Sequence, residues 1–237
     1  MLKEAIEKIV ELAYPLIWKE EGHTYACYQE WIKELRPEID LPEQINVNSL
    51  DALAQLIRED TFDKKTFVSV KSADCVVAFG RLDVENRWTR AILYRADAKD
   101  IPGWNPETTL PFDEATVALM TRFQDSPDRE YCIQLLSQIT TGAHVTYTDN
   151  GIASTIVTQK GAALAQNTQI KPLVRLRPYR TFQEVEQPEG IFLIRVKERG
   201  ISFIEADGGM WRLTARNTIK AWLQNELKDL PGVTVML

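Results

Sequence analysis

Between residues 66 and 95 the chain carries three runs rich in β-branched and aromatic residues, Thr66 to Val70, Cys75 to Leu82 and Trp88 to Arg95. Turn-formers separate them, at Ser72-Ala73-Asp74 and from Asp83 to Asn86, so the stretch reads as an antiparallel meander of three strands. A helix precedes it. At Asn48-Ser49-Leu50-Asp51 a capping residue opens a segment with Leu50, Leu53, Leu56 and Ile57 on one side and Asp51, Gln55, Arg58 and Glu59 on the other. Strands and amphipathic helices in one chain make the expected class α+β, mainly antiparallel sheet with packed helices and a helical N-terminal arm.

The arm is the first 40 residues. Leu2, Ile6, Ile9, Val10 and Ala13 share a helical face that Pro15 should end, and Tyr25, Tyr28, Trp31, Ile32 and Leu35 again fall close to helical period before Arg36-Pro37. Residues 41–104 form the meander region. From Asp100 to Pro111 the prolines of Ile101-Pro102-Gly103-Trp104-Asn105-Pro106 exclude helix and central strand, which makes this loop the best internal boundary. Residues 111–237 form a C-terminal α+β region, with 41–237 read alternatively as one continuous domain. Within it, helices are expected over 113–124 and 127–139, the second opened by Ser126-Pro127. A hairpin is expected over 145–148 and 152–159, turning at Asp149-Asn150-Gly151. Strands are expected at 174–177, 191–197 and 201–205, the last two joined by Glu198-Arg199-Gly200. A helix over 214–230 stops at Pro231-Gly232, and Val233, Val235 and Leu237 close the sheet as a final strand.

At 237 residues and 44% apolar composition the chain can fill a sizeable core without staples. Cys27, Cys75 and Cys132 form no CxxC pair and read as small buried hydrophobes in a reducing compartment. The N-terminus lacks the apolar run of a signal peptide and no window approaches a membrane span, so the expected place is the cytoplasm, with no membrane partner. A formal charge of −6 opposes sequence-independent binding to phosphate backbones. His23 and His144 have no metal-ligand spacing, and neither nucleophile elbow nor phosphate loop occurs. No catalytic residue, metal or cofactor is assigned.

Two segments stand out. In Arg175-Leu176-Arg177-Pro178-Tyr179-Arg180-Thr181-Phe182, Arg175 and Arg177 share a strand face, and with Tyr179, Arg180 and Phe182 they would grip a phosphate or stack on a base. The alternative is an internal network in which these arginines neutralise Glu184, Glu186, Glu189, Glu205 and Asp207. In Glu205-Ala206-Asp207-Gly208-Gly209-Met210-Trp211-Arg212, two carboxylates two residues apart would hold a divalent cation, or else serve an ordinary acidic tight turn.

Together these stretches, Lys171 through Pro188 with its Arg180-Thr181-Phe182-Gln183-Glu184-Val185-Glu186-Gln187-Pro188 core, and Phe203-Ile204-Glu205-Ala206-Asp207-Gly208-Gly209-Met210-Trp211, resemble the YfdQ-like family of bacteriophage and prophage proteins, a domain of unknown function. Weaker similarity extends back through Asp149-Asn150-Gly151-Ile152 and Ile45 to Leu50, and the N-terminal arm departs from the pattern. The resemblance implies a phage or prophage origin and expression in a bacterial host, with no activity to carry over. The leading expectation is therefore a non-enzymatic accessory protein that self-associates as a homo-oligomer and binds a host or phage protein. Its interface anchors would include Tyr25, Tyr28 and Trp31. The alternative is an accessory of phage DNA replication or recombination that contacts nucleic acid through the arginine-aromatic strand. A third reading is a metal-dependent hydrolase on Glu205 and Asp207.

Overall fold

The computed structural model describes residues 2–13, 16–21, 23–28, 31–35, 41–59, 65–83, 88–105, 108–141, 144–149, 154–159, 166–197 and 200–237. The expected breaks at Pro15, Arg36-Pro37, Asn150-Gly151 and Glu198-Arg199 lie outside these residues. The chain divides into two units, residues 1–41 and 42–237. The proline-rich segment after Asp100 runs within the second.

In the first unit the expected helix is present as α1 (Leu2–Ala13). The expected second helix is not. The chain instead forms β1 (Leu16–Glu20), β2 (His23–Tyr28) and β3 (Trp31–Leu35) in one antiparallel sheet of order β1-β2-β3. The reason is pairing. Trp18 lies opposite Tyr25 with ring centroids 5.5 Å apart, and Cys27 lies opposite Ile32, so side chains that mimic a helical period satisfy cross-strand contacts. Glu21, with φ 49°, supplies the left-handed turn residue between β1 and β2.

The second unit opens with β4 (Ile45–Val47) and α2 (Leu50–Glu59). Ser49 Oγ accepts the Ala52 N–H at 3.2 Å, and Glu184 Oε1, far along the chain, accepts the Leu50 N–H at 2.6 Å. The meander follows as β5 (Thr66–Val70), β6 (Cys75–Phe79) and β7 (Ile92–Asp97), antiparallel throughout. Next come α3 (Phe112–Arg122) and α4 (Pro127–Thr141), the latter capped by Ser126 Oγ on the Arg129 N–H. Then β8 (His144–Asp149), β9 (Ser154–Gln159) and β10 (Gln166–Gln169) form an antiparallel sheet, and β11 (Leu173–Leu176), β12 (Gly190–Lys197) and β13 (Gly200–Glu205) form another. Last are α5 (Trp211–Glu226) and β14 (Val233–Met236), which lies parallel to β5 and completes a sheet of order β14-β5-β6-β7-β4. The class is α+β.

Two cores fill this unit. In one, Leu119, Cys132, Leu136 and Ile139 of α3 and α4 pack on Val174, Leu176, Phe192, Ile194 and Phe203 of the β11-β12-β13 sheet. In the other, Leu53 and Ile57 of α2 and Ile219 and Leu223 of α5 cover Val68, Val70, Val76 and Ala78 of the five-stranded sheet. Each fully buried side chain of this kind contributes about 1.5–3 kcal/mol. The loop from Arg177 to Glu189 touches both. It begins beside the first core, where the Tyr179 N–H donates to Arg122 C=O at 2.9 Å, and it inserts Phe182 and Val185 into the second.

Candidate functional site

Strand β11 alternates exposed and buried residues, so Val174 and Leu176 enter the core and Arg175 points outward. Arg175 Nη1 meets Glu189 Oε1 at 3.1 Å, while Arg177 pairs with Glu186 and, at 3.7 Å, with Glu189. These are surface ion pairs, each worth about 0–1 kcal/mol. Tyr179 is half-buried. Phe182 is 1% exposed, which corrects its assignment as a stacking residue: its ring is spent on the core and no base can reach it.

Arg180 is the centre of the arrangement. Its Nη1 donates to Glu205 Oε1 at 2.6 Å, and the two side chains are 13% and 22% exposed. Its Cζ stands 4.0 Å from the Trp211 ring centroid, a cation–π contact in a largely dry setting. Gly190 makes room for it, since a Cβ there would lie 2.6 Å from Arg180 Nη2. Burial pushes the Arg180 pKa down, opposed by the hydrogen bond and charge of Glu205. Nε of Arg180 and Nε1 of Trp211 are buried with no hydrogen-bond acceptor.

The loop that delivers Arg180 is built on Gln187, itself fully buried. Gln187 Oε1 accepts the N–H groups of Arg180 (2.9 Å) and Thr181 (3.2 Å), and its Nε2 donates to Phe182 C=O at 2.9 Å. The hydroxyl of Thr181 donates to Ala73 C=O, fastening the loop to the turn between β5 and β6. On the other side, Asp207 Oδ1 accepts the Gly209 N–H at 2.9 Å, and Gly208 and Gly209 sit at φ 64° and 78°, where a side chain would be strained. This turn starts α5 at Trp211, three residues before the expected position, and so brings the indole under Arg180. Glu205 is an ion-pair partner and Asp207 a turn cap. Among the described residues no cluster of three His, Cys, Asp or Glu side chains is disposed to hold a metal.

The structure thus places Arg175 and Arg177 in one surface ion-pair group around Glu189 and Arg180, Glu205 and Trp211 in a second, partly buried one, and leaves Phe182 in the core. Presenting Arg180 to a ligand would mean breaking a partly buried ion pair, which costs about 2–4 kcal/mol. Sequence reasoning passed over Gln187, and also Asp128 at the start of α4. Asp128 accepts from Lys171 Nζ at 2.7 Å and from the Arg175 N–H at 2.6 Å. Burial pushes its carboxyl up, but those two hydrogen bonds outweigh it and hold the group below the ordinary carboxylate range. Its position in the first helical turn, behind Ser126-Pro127, was the available signal.

The remaining expected anchors belong to the first unit. Tyr25 is half-buried against Trp18, Trp31 is exposed, and Tyr28 lies in β2 with its side chain outside the described set. His23 Nδ1 is 2.8 Å from Glu34 Oε1 on the surface. Of the thiols, Cys132 is buried, with its pKa pushed up to about 12 by desolvation, whereas Cys27 and Cys75 are only half-buried. Among the described residues no helix is long and apolar enough to cross a membrane. No family model, curated protein or solved structure matches this chain, so its own geometry carries the functional reading.

Proposed function

We propose that this chain is a non-enzymatic phage or prophage accessory protein of the bacterial cytoplasm that self-associates and binds a protein partner, modulating a host process or defence. The observation that carries the reading is the apolar surface of the first unit. Leu2, Ile6 and Ile9 form the apolar face of α1 and are 80%, 53% and 65% exposed, and Leu16, Ile17, Trp31 and Ile32 of the adjoining strands are exposed as well. Exposed large apolar side chains in this number within a 41-residue unit are what a protein interface covers. The nucleic-acid reading has less behind it, because Arg175, Arg177 and Arg180 are each answered by a carboxylate and the chain is acidic overall.

Light scattering on the full chain is expected to give a mass above the 27.1 kDa protomer. The immobilised full chain is expected to retain a specific protein from a bacterial lysate that the I6K/I9K and W31A variants release. A monomer at every concentration, with the same lysate proteins on wild type and variants, overturns the proposal.

A further inference from the structure

Open sheet edges are templates for pairing with another chain, and folded proteins ordinarily blunt them. Three edges in the second unit are blunted. Strand β4 is three residues long. On the outer side of β11, Asp128 Oδ2 takes the Arg175 N–H and the Tyr131 hydroxyl takes the Lys171 N–H. On the outer side of β13, Leu110 exchanges two backbone hydrogen bonds with Ile201, at 2.9 and 2.8 Å.

Strand β14 has none of these devices among the described residues. From Val233 to Leu237 it contains no charged residue, no proline and no glycine. Its inner side is set by the Thr66 N–H, which donates to Gly232 C=O at 3.0 Å, with Val233 opposite Thr66 and Val235 opposite Val68. Parallel alternation then turns the N–H and C=O of Thr234 toward β5 and those of Val233 and Val235 away from it. The Val233 N–H is used on Leu230 C=O. Left facing outward are Val233 C=O, Val235 N–H and C=O, and Leu237 N–H and C=O.

The first four of these groups form a self-complementary pattern. We infer that β14 is the self-association edge: two copies pair their β14 strands antiparallel about a two-fold axis through Val235, which joins two five-stranded sheets into one. This rests on the self-association reading above and assigns that step to β14, leaving the apolar residues of the first unit to the protein partner. In that register the two Val235 residues exchange N–H···O bonds and each Leu237 N–H donates to the other copy's Val233 C=O, four hydrogen bonds in all, with the Leu237 C=O left to solvent because the Val233 N–H is used on Leu230. Thr234 falls opposite the second copy's Met236 on one face. On the other face the second copy's Leu237 falls opposite Val233, beside a groove of about 350 Å³ whose lining includes Leu227, Lys228, Leu230, Val233 and Val235. No charged side chain lies between Leu230 and Leu237, so the paired strands themselves bring no like charges opposite each other, and the charge beside them in the groove is the Lys228 ammonium.

The test is sedimentation of the full chain across a concentration series, comparing wild type with V235P and V235T. Proline removes an N–H that the fold itself does not use, at an edge position where proline is tolerated. V235P is expected to weaken dimerisation by roughly 10- to 100-fold, the worth of two hydrogen bonds, and V235T to leave it nearly unchanged. Amide exchange on the wild type supplies a readout that does not depend on the variant folding. The Val235 and Leu237 amides should lose protection on dilution while those of Thr234 and Met236 keep theirs. A chain that is monomeric throughout overturns both this inference and the self-association reading. An oligomer that V235P leaves intact, or one whose Val235 amide exchanges freely, overturns the β14 assignment alone.

Discussion

Arg180 is where two loops are locked to each other, and its surroundings explain why the residues around it are of the types they are. Gly190 gives the guanidinium space, Trp211 gives it a ring face and Glu205 gives it a counter-charge. Replacing Arg180 by Ala leaves the Glu205 carboxylate largely buried and unpaired. The expected cost is about 2–4 kcal/mol, a fall in melting temperature on the order of 5–10 °C, measured by thermal unfolding. R180K should recover only part of that loss, because an ammonium lacks the planar face that stacks on the indole. Asp128 offers a pH test. Its folded pKa is lowered, so its stabilisation is fully present above the titration of an unfolded carboxyl and is lost as pH falls through the folded value. Asp128→Asn is therefore expected to cost roughly 1–2 kcal/mol at neutral pH, and the gap to wild type should close in acid, as followed by denaturant titration at each pH. At this scale the sequence is only partly readable. Three arginines within a few residues look alike on paper. Which one is interior depends on a glycine and an indole that arrive from other segments.

Elements were readable where a local signal and the tertiary environment agree. Ser49 and Ser126 cap the helices expected of them, and β5, β6 and β7 pair as a meander because their residues suit a half-buried sheet and a short turn over residues 71–74 joins the first two. The sheet of the first unit was misread because Tyr25, Tyr28, Trp31 and Ile32 satisfy helical spacing, whereas Tyr25 stacks on Trp18 and Ile32 lies opposite Cys27 across paired strands. Strands β4 and β10 were missed for a different reason: Ile45–Val47 is short, and Gln166–Gln169 is wholly polar, so neither carries a periodic apolar signal. An element-scale prediction concerns Gly200, the first residue of β13. A Cβ there would lie 2.3 Å from Leu110 C=O, a backbone atom that cannot swing aside. Gly200→Ala should push the Leu110 segment off the β13 edge and destabilise by about 1–3 kcal/mol. Amide exchange should show the Leu110 and Ile201 N–H groups losing protection. Retained protection with wild-type stability would count against this account of the edge.

Across the second unit, the two cores are tied by the loop from Arg177 to Glu189, which puts Phe182 and Val185 into one core from a starting point beside the other. Because its backbone is fastened by the buried Gln187 and Thr181, the cores are expected to unfold together. Native-state exchange should give the amides of Leu136 and Ile194 the same opening free energy as those of Val68 and Leu223, and T181V should separate the two values. Distinct values in the wild type would show that the loop does not couple them. The parallel pairing of β14 with β5 has a further consequence for synthesis. Strands β5 to β7 leave the ribosome well before α5 and β14, which cover and extend their sheet. Between synthesis of the meander and synthesis of α5 the growing chain therefore carries a half-dressed apolar sheet, the kind of surface that invites aggregation before the native fold exists.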